Sequence, residues 1–246
     1  MQTLIFVLDV SLPGLDEQEK LEFLEQMMPE LSEYRQQKVR QIRFLKDKLC
    51  SAGVGLLFNT GLKEYGLSGK EERVGFCGNQ KPYLMDHPEI HFNLSHSGTM
   101  VMAAFADREI GCDIEKNGKA DFRVARRFFH EAEQADLEQQ PDLDAKTDRF
   151  YRYWTLKESF LKVTGEGMRL AMNRFCIRLD ESGCPEEPGM SRNAGGTEET
   201  ISVELDGIRQ PYSFREWRLP GYHAALCVKE NPGDVFFSFQ NLQDVV

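Results

Sequence analysis

At 246 residues, 41% of them hydrophobic, the chain is long enough to bury a sizeable core as one large domain or two small ones. Its 40 acidic and 30 basic residues give a formal net charge of −10, which argues against non-specific binding to nucleic acid or anionic membranes through positive surface. No stretch has the length and apolarity of a membrane span, and the apolar run Leu4 to Leu8 lacks a basic n-region, so no secretory leader is expected either.

From the N-terminus the pattern predicts a strand at 3–10, helices at about 17–27 and 30–47, and a helix at about 51–65. The second helix contains "YRQQKVRQIRFLKDK", in which Arg35, Lys38, Arg40, Arg43, Lys46 and Lys48 face one acid, Asp47. Such a cluster on an acidic protein is either a solvated helix face or a local phosphate site.

A hairpin is predicted over 89–106. In "HFNLSHSGTM" the residues Ile90, Phe92 and Leu94 share one strand face and His91, Asn93 and Ser95 the other, with the turn at Ser97-Gly98. Ser95, His96 and Ser97 then crowd a strand end, where donors can converge on an anion. No G-x-S-x-G elbow surrounds Ser95, so a catalytic serine is not supported. "GVGLLFNTG" lacks the lysine of a P-loop.

A strand follows at 109–115. In "GCDIEK" the alternation sets Gly111, Asp113 and Glu115 on one face, and two adjacent carboxylates invite a cation. A solvent-exposed strand face is the plain alternative. Helices are predicted at 121–129, 131–139 and 144–164. The last contains "YRYWTLKESFLK", where Trp154, Glu158 and Lys162 fall on one side. Glu158 before Lys162 also has the order of an ordinary i,i+4 surface pair. Three hard oxygen ligands, a basic face and a Ser-His turn together suit Mg²⁺ with a bound polyphosphate.

Strands at about 173–180, 200–206, 212–218 and 222–229 close the chain, and "ESGCPEEPGMSRNAGGTEET" between the first two reads as a long flexible loop. "GTMVMAAFADRE" and "GYHAALCVKE" share a glycine, an apolar strand with adjacent alanines and a charged end, a similarity that two buried strands can show by chance. Strands and helices without regular alternation favour an α+β fold. The six cysteines contain no C-x-x-C pair, and with the five histidines they offer no zinc spacing, so a disulfide-free cytoplasmic protein is expected.

"FNLSHSG", "GCDIEK" and "YWTLKESFLK", in this order, resemble the signature of the 4′-phosphopantetheinyl transferases, and the spread of matches from about Arg35 to Leu179 resembles the larger Sfp-type branch. The resemblance implies an α+β fold of two pseudo-symmetric half-domains, 1–107 and 108–246, with small antiparallel sheets packed with helices and the active site at their interface. It implies transfer of the phosphopantetheine arm of coenzyme A to a serine of an apo acyl or peptidyl carrier protein, releasing adenosine 3′,5′-bisphosphate. By motif, Asp113, Glu115 and Glu158 would bind Mg²⁺, Glu158 would also be the base, and Lys162 and His96 would contact phosphates. Ser95 and Lys81 would line the nucleotide site, with Lys38, Arg40 and Arg43 as further phosphate contacts. Lys162 is expected to keep Glu158 ionised.

Two departures stand out. Gln80 replaces the glycine of the family's G-K-P segment in "QKPY", and Cys50, before Ser51, takes the place of an arginine in the basic segment. For the carrier, Met168, Arg169 and Leu170 in "GEGMRLAM" are candidate contacts, with buried packing of the Met and Leu as the alternative. A monomer without nucleic-acid or membrane partners is expected. A Mg²⁺-dependent phosphohydrolase or a non-catalytic coenzyme A-binding module would use parts of the same residue set.

Overall fold

Strand β1 (Thr3–Asp9) is an almost fully buried run, and after it Asp16 caps α1 (Glu17–Met27) in a reciprocal box, its side chain accepting from Glu19 N at 2.9 Å. The computed structural model describes residues 2–78, 80–179 and 201–244, so the long loop read at 181–200 lies outside the described residues. Ser32 caps α2 (Glu33–Gln41), and α3 (Leu45–Lys63) follows. The expected helices at 30–47 and 51–65 are thus divided differently. The chain is extended at Ile42 and Phe44, which lets α2, with Val39 its one buried residue, fold back on α3, buried through most of Leu49–Leu62. A short hairpin, β2 (Val74–Phe76) and β3 (Pro82–Leu84), precedes the expected one, β4 (His91–Ser97) and β5 (Met100–Ala106). Gly98, at φ +60°, makes the turn.

The second half repeats this order. Strand β6 (Ile110–Lys116) leads to α4 (Phe122–Phe128), α5 (Glu131–Glu138) and α6 (Leu143–Thr164). A small sheet of β7 (Phe175–Arg178), β8 (Ser202–Leu205) and β9 (Ile208–Arg209) comes next, then the hairpin β10 (Tyr212–Leu219) and β11 (Tyr222–Lys229). A final strand, β12 (Val235–Asn241), was not anticipated; it pairs in parallel with β1.

The contacts divide the chain into two units, one of residues up to Asp107 together with those from Asp234 onward, the other Arg108–Gly233. The boundary expected at 107/108 needs one amendment: the last segment packs with the first unit, because β12 completes the sheet β12-β1-β5-β4. In the second unit the main sheet is β10-β11-β6. Each unit therefore has the connectivity strand, three helices, small sheet, hairpin, with the second hairpin strand at the centre. The two similar stretches of sequence are those central strands, β5 and β11. The fold is α+β, as the sequence implies.

In the first unit Leu4, Phe6 and Leu8 of β1 and Val101, Ala103 and Phe105 of β5 share one core with Leu57, Phe58 and Leu62 of α3. In the second, Phe150, Leu156 and Phe160 of α6 pack with Phe214, Ala225 and Cys227 of the sheet. Here α6 approaches β6 closely: a Cβ on Gly111 would lie 2.2 Å from Ser159 O and 2.4 Å from Val163 N. Both neighbours are helix backbone and cannot swing aside. Gly111→Ala should therefore force α6 off the sheet, costing about 2–3 kcal/mol. Thermal denaturation should show the melting temperature lower by roughly 5–10 °C for a chain of this size.

Candidate active site

The alternation in β6 places Ile110, Cys112 and Ile114, all fully buried, on one side of the strand. Gly111, Asp113 and Glu115 take the other, beneath α6. Asp113 is only 4% exposed, so the plain reading of a solvated strand face does not hold. Its Oδ1 accepts from Lys162 Nζ at 2.7 Å, a tertiary ion pair between β6 and α6. Burial alone would lower the Lys162 ammonium, but Asp113 and neighbouring groups hold it above its ordinary value.

Glu158, one helical turn before Lys162, is half-buried. Burial, then the charges of Asp113 and Glu115, push its carboxyl up to about 7 against the opposing pull of Lys162. The expectation that Lys162 keeps Glu158 ionised is thereby corrected: desolvation and two like charges outweigh one cation already engaged by Asp113. Three carboxylates thus share a poorly hydrated region with one ammonium, a donor set that fits a hard divalent cation by charge and by oxygen chemistry. Among the described residues no three His, Cys, Asp or Glu side chains converge at ligand spacing, and the cation that Asp113 holds is Lys162.

The register extends this polar surface across the sheet. Asp113 pairs with Ala225 and then Glu216, and Glu115 pairs with His223 and then Arg218. From α6, Arg152 forms a bidentate pair with the buried Glu216, its Nε 2.9 Å from both carboxylate oxygens. Asp148, also on α6, lies 3.0 Å from His223 Nε2 and accepts from Arg218 Nη2 at 2.6 Å. Sequence reasoning missed these five residues. The only signals were an arginine inside the aromatic run "YRYW" and a histidine inside the apolar strand β11.

In the first unit, Ser95 is buried and His96 exposed at the end of β4. Cys50, where the resemblance leads one to expect arginine, donates its thiol to Gly98 O at 3.6 Å and so ties the start of α3 to the Ser-His hairpin turn. Burial pushes this thiol up, against the nearby Lys46. Lys38 and Arg40 are exposed on α2, and Arg43 in the following turn, with its guanidinium 5.3 Å from the centre of the Phe44 ring. Partial burial and the charge of Arg35 lower Lys38. Lys81 precedes β3, which packs beside β4. Among the suggested carrier contacts, Arg169 is exposed, whereas Leu170 packs against the second core; the Met168 side chain lies outside the described residues.

A profile of the 4′-phosphopantetheinyl transferase superfamily matches residues 109–227, the span from β6 into β11. The chain is 35% identical over 166 residues to the 4′-phosphopantetheinyl transferase Sfp of Bacillus subtilis, covering 67% of this chain and 66% of that protein. It is 35% identical over 205 residues to a further 4′-phosphopantetheinyl transferase of Bacillus subtilis, covering 82% and 84% of the two chains. To the transferase psf-1 of Bacillus pumilus it is 33% identical over 222 residues, 90% and 88%. The chain belongs to the 4′-phosphopantetheinyl transferase superfamily, in its Sfp-type branch. It is accordingly an enzyme of the transferase class, for which coenzyme A is the implied substrate.

The raised carboxyl of Glu158 makes a stability prediction. A carboxylate whose folded pKa lies above its unfolded value adds nothing below pH 4.5, destabilises increasingly between pH 4.5 and 7, and exacts its full cost above. Glu158→Gln should therefore stabilise the protein at pH 8, by up to roughly 3.5 kcal/mol at about 1.4 kcal/mol per pH unit between 4.5 and 7. At pH 4.5 the gain should be nearly absent. Urea denaturation of both proteins at the two pH values measures the difference.

Proposed function

We propose that this transferase moves the 4′-phosphopantetheine arm of coenzyme A to a serine of an apo acyl or peptidyl carrier protein, with Mg²⁺, in the cytoplasm and as a monomer. The observation that supports this most directly is the shared environment of Asp113, Glu115, Glu158 and Lys162, which a transfer at a pyrophosphate requires. The carrier's serine Oγ forms a bond to the β-phosphorus, the anhydride bond to the adenosine side breaks, and adenosine 3′,5′-bisphosphate leaves. The serine proton goes to Glu158, whose carboxyl is pushed up in the metal-free protein by burial and the charges of Asp113 and Glu115, the direction that favours accepting a proton.

Asp113, Glu115 and Glu158 would hold Mg²⁺, which supplies positive charge at the pyrophosphate when bound. Lys162 and His96 neutralise phosphate oxygens. Ser95 and Lys81 line the nucleotide site, and Lys38, Arg40 and Arg43 meet its outer phosphates. With Cys50 bound to Gly98 O, the cation expected at that position is supplied by this neighbouring cluster. Arg169 is a rim contact for the carrier, with Met168 and Leu170 beside it in sequence. No helix among the described residues is long and apolar enough to cross a membrane. Nucleic acid has no part in the reaction.

Incubation with coenzyme A, Mg²⁺ and an apo-carrier should add the phosphopantetheine mass to the carrier, read by mass spectrometry. Phosphate release with an unmodified carrier would instead indicate a phosphohydrolase, and coenzyme A binding without turnover a binding module. Asp113→Ala should lower transfer by at least about 10²-fold, on the scale of a lost electrostatic stabiliser. Full activity of that variant at moderate Mg²⁺ would remove Asp113 from the site.

Replacing Lys38, Arg40 and Arg43 together by alanine should weaken binding of coenzyme A more than that of dephospho-coenzyme A, by about tenfold for one lost charge-assisted contact. Calorimetry on the two ligands decides this. Equal losses would place the cluster away from the 3′-phosphate.

A further inference from the structure

Directly before Glu158 in sequence, Lys157 leaves α6 about a quarter turn away from it and enters a fully enclosed site. Its ammonium uses all three hydrogens: it donates to Glu133 Oε1 at 2.8 Å, to Glu133 Oε2 at 2.7 Å and to Phe175 O at 2.9 Å. Both charged side chains are 0% exposed. The Glu133 carboxylate also accepts from His130 N at 2.8 Å and from Ile177 N at 2.7 Å. The ammonium lies 4.2 Å from the centre of the Phe175 ring. One ion pair thus joins the first turn of α5, the middle of α6 and strand β7.

Enclosing such a pair costs so much desolvation that apolar side chains of similar volume commonly do as well or better for stability. What apolar packing would not supply is a fixed rotation of the helix. With side chains reaching 5–6 Å from a helix axis, a turn of α6 by some 20° moves the Glu158 carboxylate by about 2 Å. Errors of about 1 Å in a reacting group can cost 10²-fold in rate. Lys157, anchored on three hydrogen bonds one residue away, opposes that rotation.

We propose that Lys157 is a positioning residue: through its enclosed pair with Glu133 it fixes the rotation of α6, and with it the aim of Glu158 and Lys162. The inference rests on the reading that Glu158 acts at the reacting site. It assigns Lys157 no contact with coenzyme A, since the side chain is wholly enclosed.

The test is the double variant Lys157→Met with Glu133→Gln, which removes both charges, keeps side-chain volume and leaves an amide oxygen for Ile177 N. The full chain is assayed with coenzyme A, Mg²⁺ and an apo-carrier, alongside thermal melting. The melting temperature should stay within a few degrees of wild type and the KM for coenzyme A within about 3-fold, while kcat falls by at least about 10-fold. A folded double variant with wild-type kcat overturns the proposal, as does a loss of kcat that follows the melting temperature and recovers on cooling the assay. Should the double variant not fold, Glu133→Gln alone decides the matter by the same split between kcat and KM. Glu158→Gln in the same assay separates the two readings. If it turns over normally, the assignment of Glu158 fails; if it is inactive while the double variant is fully active, only the positioning role fails.

Discussion

The contact between the backbone of α6 and the bare Cα of Gly111 sets the geometry of the second unit. Strand β6 and helix α6 meet without an intervening side chain, so the helix surface lies within reach of the short carboxylate of Asp113. A residue with a Cβ at 111 would separate the two elements, and the 2.7 Å pair between Asp113 and Lys162 could not form at the present spacing. The same approach keeps water out. Asp113 is nearly inaccessible, and Glu158 is dry enough for its ionisation to move into the neutral range. Close packing and pKa tuning have one cause here.

Charges in this layer are tolerated because nearly every one has a partner across an element boundary. Arg152 on α6 faces Glu216 on β10, Asp148 on α6 faces Arg218 and His223, and Lys157 faces Glu133 on α5. Glu158 is the exception in its energetics. Its neighbourhood holds more negative than positive charge, so its ionised form is penalised. A group carried at a cost to the fold is what a site that receives a cation or a proton needs.

Much of this was legible in sequence, for physical reasons that can be named. Period-two alternation gave β4 and β6, the apolar run after the turn gave β5, and helical spacing put Trp154, Glu158 and Lys162 on one side of α6. Alternation also predicted that Asp113 and Glu115 share a face. It could not show that this face is covered, because a covered polar face and a solvated one have the same pattern. Strand β12 was invisible because "VFFSFQN" does not alternate cleanly and its partner β1 lies more than two hundred positions away. The break at Ile42–Phe44 carries neither proline nor glycine. It follows from tertiary packing, since α2 and α3 bury different faces.

The two units show how one connectivity can serve two physical ends. In the first, the β1 positions facing α3 are Leu4, Phe6 and Leu8, and the layer between sheet and helix is apolar. In the second, the β6 positions facing α6 are Gly111, Asp113 and Glu115. Followed across the sheet, the rows change character along the helix. Gly111, Cys227 and Phe214 form an apolar row, Asp113, Ala225 and Glu216 a mixed one, and Glu115, His223 and Arg218 a wholly polar one. The apolar end fastens α6, the mixed row holds the buried carboxylates of Asp113 and Glu216, and the polar row opens toward solvent at Arg218. A one-residue slip of β11 against β6 would exchange Ala225 and His223 for buried aliphatic neighbours and break every row at once. The apolar row is therefore what allows the charged rows to exist: it fixes the register that gives each buried charge its partner.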